Sequence, residues 1–182
     1  MATPENNSFA KQHRAGCMNA NRAAGKILKE LHFDFAKFTL ERFVYAVSDA
    51  KGREIIALPW DMFSALPPNT PRTLFGAWFS DGDDPREYIF YHENLHEIHR
   101  NHIQLRQLAH ILLGHPTYKV NLEWIAAAAA GQAALPFGDL PILRASNRTQ
   151  LQLEADALTC LIVKNVLRRH RLYQLVNARL LT

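Results

Sequence analysis

Between residues 53 and 93 the chain holds three short apolar runs, each cut off by turn-forming residues. REIIALPW (53–60) has the continuous apolar character of a buried strand. TLFGAWFSD (73–81) and REYIFYHE (86–93) place aromatic and branched residues at period two. LPPNTP (66–71) carries three prolines and excludes regular structure between the first two runs. DGDDP (81–85) supplies Gly82 and Pro85 for a turn, so 73–93 is expected to form a hairpin.

Helical spacing flanks the three runs. Ile27, Leu31, Phe35 and Phe38, then Leu40, Phe43, Val44 and Val47, predict one or two amphipathic helices. Gly52 is placed to take the left-handed stop. A helix is expected over 95–113, with Gly114 as its cap and Pro116 blocking continuation. NLEWIAAAAAGQAAL (121–135) is an alanine-rich helix expected to pack closely on a neighbour, and GDLPILRASN (138–147) is a connector. A long helix starts near Thr149, with Leu151, Ala155, Leu158, Ile162 and Val166 on one face. Helix, three strands, then helices is the order of an α+β domain with a small three-stranded sheet, not of a doubly wound one. No internal repeat is present.

A chain of 182 residues suffices for one domain over 19–182, after a polar lead-in at 1–18 expected to be disordered. No apolar run of about 18 or more uncharged residues exists to span a membrane, and the first residues lack the apolar core of a secretion signal. Cys17 and Cys160 are far apart and lack metal-type spacing. The expectation is a cytoplasmic protein with two reduced thiols. The net charge of +4 comes partly from KNVLRRHR, where Lys164, Arg168 and Arg171 share a helical face beside Arg169. Such a stripe is ordinarily a solvated face, and no aromatic residues interleave as stacking platforms, so nucleic acid is not the expected partner.

Residues 88–116 contain six histidines and one literal H-E-x-x-H, His92-Glu93-Asn94-Leu95-His96. Histidines four apart on a helix can share a zinc ion, with the intervening Glu taking a proton from metal-bound water. On that reading His92 and His96 are ligands, His102 or His99 is the third, and Glu93 is the base. Three features oppose it. YIFY looks like a strand running into His92, ENLHEIHRNH is polar all round, and position 99 is His where the extended motif has Gly. The plainer expectation is surface residues at a strand-to-helix junction.

The second candidate is LRQLAHILLGHP (105–116), which resembles the L-H-E-L-G-H-x-L-L-G-H stretch of the ImmA/IrrE family of zincin-fold metallopeptidases. Downstream, QLEADALTCLI (152–162) resembles that family's E-x-x-A-N/D-x-x-A-x-L-L helix. The upstream helix, REIIALPW, the FGAWFS hairpin and YIFY follow the family's order, so the likeness covers about residues 25–170. The resemblance implies a zincin-like fold in which His110 matches the second zinc histidine and Asp156 the acid or amide that supports the ligands. It also implies a protein partner, a helix-turn-helix regulator or an antitoxin-like protein.

At the reactive positions the chain departs from that pattern. Arg106 stands for the first zinc histidine, Gln107 for the general-base Glu and Gln152 for the third-ligand Glu. A register slipped by two would instead offer Glu154, but that position points about 200° away from Gln152 on the helix. A guanidinium is a permanent cation and repels the ion. A carboxamide cannot take a proton from water at neutral pH. His115 lies about 140° round the helix from His110, which puts it out of reach. The expectation is therefore a catalytically degenerate domain that binds without cutting and takes no cofactor, with Arg106 meeting Asp156 in the metal's place. Trp60, Trp78 and Trp124 are expected in the core or a cleft wall.

Overall fold

The computed structural model describes residues 18–60, 76–82, 84–130 and 150–169. The 66–71 loop and the 138–147 connector lie outside the described residues, and so does the lead-in except for Met18, which is already helical.

The apolar spacing near the N-terminus resolves into two helices. α1 covers residues 18–30, and α2 (Leu40–Lys51) follows a single 3-10 turn at Phe35–Lys37. Thr39 caps α2 by accepting from the Arg42 N–H, and Gly52 ends it at φ 61. β1 (Glu54–Trp60), β2 (Gly76–Asp81) and β3 (Arg86–His92) come next, then α3 (Glu97–Leu113), which Gly114 stops at φ 67. β4 (Tyr118–Val120), α4 (Leu122–Ala129) and α5 (Gln150–Arg169) complete the described chain.

The architecture is α+β, and the sheet is mixed, in the order β1-β3-β2-β4. β1 runs parallel to β3, β2 and β3 form the expected hairpin, and β4 pairs parallel to β2. The expected three-stranded sheet thus has a fourth strand. YKV is too short for a period to register, and its pairing of Phe79 with Tyr118 is a long-range event.

Period two divides the sheet's side chains between two cores. Ile55, Trp78 and Ile89 face α1, α2, α3 and α5, where Phe43, Val47, Leu108, Leu158 and Ile162 are fully buried. Trp60, Phe79, Tyr88 and Phe90 face the other way, against Trp124 and Ile125 of α4. The three tryptophans are therefore packed as expected. α4 packs against the sheet through Trp124 and Ile125, and Ala126, the first of the alanine run, is exposed. Among the described residues, no helix is long and apolar enough to cross a membrane.

Candidate functional site

α3, the turn after it and α5 assemble the site. Residues four apart on a helix share a face, so α3 presents Arg106 one turn before His110, and α5 presents Gln152 one turn before Asp156. Arg106 Nε donates to Asp156 Oδ1 at 2.8 Å, the meeting that the sequence predicts. In an antiparallel helix pair, that bond sets position 110 opposite 152 and position 102 opposite 160. Gln107 is buried beside it in the chain, and Gln152 is half-buried.

Beyond Gly114 the backbone leaves the helical path. The Gly114 N–H bonds to Ile111 O and the His115 N–H to His110 O, which folds residue 115 back over the last turn. His115 Nδ1 then lies 2.8 Å from His110 Nδ1, and His115 Nε2 lies 3.3 Å from Glu154 Oε2. The helical-wheel expectation that His115 is out of reach is thereby corrected. The 100° step applies only within a helix, and Gly114 ends it. Glu154, which points away from Gln152, points instead at His115, and Gln150 Nε2 donates to its other oxygen at 2.7 Å.

This chain of partners sets the ring protons. A carboxylate only accepts, so His115 carries its proton on Nε2 and accepts on Nδ1. His110 must then donate from Nδ1, which leaves a bare lone pair on Nε2. That atom is buried and has no hydrogen-bond partner among the described residues, in a side chain only 1% exposed. Burial first, and then His115 and Arg106 nearby, lower the His110 pKa to about 3, against a smaller opposing pull from Asp156. Burial lowers the pKa of His115 too, and Glu154 partly restores it. Both imidazoles are neutral at physiological pH.

Zinc does not fit these residues. The first ligand position holds a guanidinium already bonded to Asp156, and the third offers a neutral carboxamide. His110 Nε2 is a competent donor atom but stands alone among the described residues, because His115 spends its Nδ1 on His110 and its Nε2 on Glu154. Among the described residues, no three His, Cys, Asp or Glu side chains are grouped to hold a metal ion.

The literal H-E-x-x-H is not helical. His92 is the last residue of β3, Glu93 and Asn94 form a turn, and His96 is the N-cap of α3. The strand-to-helix junction is as expected, but His92 is buried rather than on the surface. By strand alternation it lies on the sheet face of Tyr88 and Phe90, opposite the α3 face. Its Nδ1 accepts from the Asn94 N–H, while the exposed His96 Nδ1 accepts from Ile98 N–H. Glu93, His99 and His102 are exposed. The i, i+4 geometry that made this motif a candidate is absent.

A cleft of ≈ 700 Å³ opens beside His115, between β2, β4 and the end of α3. Trp78, Glu87, Ile111 and Lys119 are among its walls. Glu87 accepts from Trp78 Nε1 and pairs with Arg53, both at 2.6 Å. Burial raises its pKa against these two partners. Sequence reasoning missed Glu87. An acidic residue inside an apolar strand run was the available signal. Of the basic stripe, Lys164 and Arg168 are exposed; the Arg169 side chain and Arg171 lie outside the described residues. No protein family, curated protein or solved structure matches the chain.

Proposed function

We propose that this chain is a catalytically inactive ImmA/IrrE-type, zincin-like metallopeptidase scaffold that works by binding a protein partner, a helix-turn-helix regulator or an antitoxin-like protein. The observation that carries this reading is the Arg106–Asp156 bond at 2.8 Å, one turn from His110, at the position the resemblance gives to zinc. A cation held there by a carboxylate excludes a second cation, and Gln107 beside it cannot serve as a base. The cleft beside His115 supplies a concave surface of the size that peptide side chains fill. The lineage and the partner come from the resemblance, and the loss of chemistry comes from the residues.

The test is metal analysis of untagged protein, together with peptide hydrolysis assayed with and without a chelator. The expected result is far less than one zinc per chain and no chelator-sensitive cleavage. Stoichiometric zinc that is lost on His96→Ala would replace this reading with an active protease built on His92, Glu93 and His96.

A further inference from the structure

We infer that the open end of the α3–α5 seam is a docking groove for an acidic amphipathic segment of a partner protein. The two helices are pinned together by Arg106 and Asp156. One turn further out the pinning side chains give way to a groove of ≈ 430 Å³, lined by His102, Cys160, Val163, Lys164, Leu167 and Arg168. Its floor is apolar, and Leu167 is 54% exposed. Ile98, four residues before His102 on α3, is 71% exposed outside the groove lining. Scattered apolar residues are ordinary on a surface; an exposed leucine in the lining of an apolar groove is what an incoming helix face would cover.

Charge selects the occupant. Lys164 and Arg168 are four apart, both exposed, and neither forms an ion pair among the described residues. His102 adds a third nitrogenous group, and among the described residues no carboxylate lines the groove. An apolar floor under a cationic rim matches a segment with apolar residues at helical spacing and Asp or Glu alongside. It matches nucleic acid poorly. Among the described residues, two cations one turn apart neutralise few phosphates, and the floor offers Val163, Leu167 and Cys160 in place of aromatic stacking platforms. The groove specifies the chemistry of a partner without depending on the metallopeptidase lineage, since a zinc-loaded protein could carry the same groove.

The experiment displays a random peptide library to the full-length wild-type chain, and in parallel to the Lys164→Glu/Arg168→Glu double variant. All three substituted or flanking residues (Lys164, Leu167, Arg168) are exposed, so circular dichroism should show unchanged folding. Peptides enriched on the wild type are expected to be acidic, with apolar residues three and four apart. Their affinity should fall about tenfold or more on the charge-reversed variant, fall again on Leu167→Asp, and survive Lys164→Arg/Arg168→Lys. The inference is overturned if no sequence enriches over the variant. It is equally overturned if enriched peptides are basic or lack helical spacing, or if a short DNA duplex displaces them with equal affinity. Metal content bears on the lineage alone, so the two readings fail separately.

Discussion

Arg106 and Asp156 are exposed over about a third of their side chains or less, at 28% and 33%. Removing one partner leaves the other half-buried and unpaired, whereas removing both leaves an apolar seam between two helices. Arg106→Met and Asp156→Asn should each cost about 1–2 kcal/mol, and Arg106→Met/Asp156→Leu together should cost less than the sum. Urea unfolding of the full cycle measures the difference. At His110 the sign follows from burial of the neutral ring. Its folded pKa of about 3 lies below the ordinary value of 6.5, so the unfolded chain binds the proton more readily. Stability from this group is whole above about pH 6.5 and is lost as pH falls towards 3. Between pH 7 and pH 5 the loss should be roughly 2 kcal/mol, and His110→Leu should remove that part of the slope. A stability profile in the variant as steep as in the wild type would contradict the neutral, buried assignment. The partner of Arg106 was legible in sequence through the resemblance, which sets Arg106 and Asp156 at one metal pocket, and because a buried cation needs a carboxylate. The His110–His115 contact was not legible, because it depends on where a backbone stops being helical.

Two glycines set how elements meet. At Gly76 on β2, an added Cβ would collide with Ile103 Cγ2 of α3 and lie 3.1 Å from Phe90 O. Ile is branched at Cβ and cannot swing aside freely. Gly76→Ala should therefore destabilise by about 1–3 kcal/mol, and by less in an Ile103→Ala background, as read from thermal or urea unfolding. An equal cost in both backgrounds would mean that the helix does not approach the sheet there. At Gly114, φ 67 favours glycine, and the same turn delivers His115 to His110. Strands β1 to β3 and α3 could be read from the sequence because each is an apolar run or a periodic pattern bounded by turn or stop residues. β4 could not, since its three residues owe their strand form to β2 rather than to their own pattern. The literal H-E-x-x-H misled for a related reason. Spacing has chemical meaning only on a known element, and this motif straddles the end of a strand, a turn and a helix cap.

At the scale of the molecule, the described residues form one sheet between α4 on one face and the other helices on the other, and the site lies where α3 and α5 meet. The α+β class followed from patterning alone, while the element order missed β4 between α3 and α4. The proposed history of the α3–α5 seam rests on the resemblance, because a zinc site and an Arg–Asp bond can occupy the same helix pair. If the scaffold descends from a metallopeptidase, returning the reactive residues should return the metal. Arg106→His/Gln107→Glu/Gln152→Glu places two imidazoles four apart on α3 and a carboxylate opposite them on α5, which is a catalytic zinc set with one position open for water. Zinc titration of that triple variant beside the wild type, followed by calorimetry, is the most direct measurement. The account predicts near-stoichiometric zinc on the variant and none on the wild type. Zinc bound tightly by the wild type, or no zinc bound by a folded variant, would contradict it.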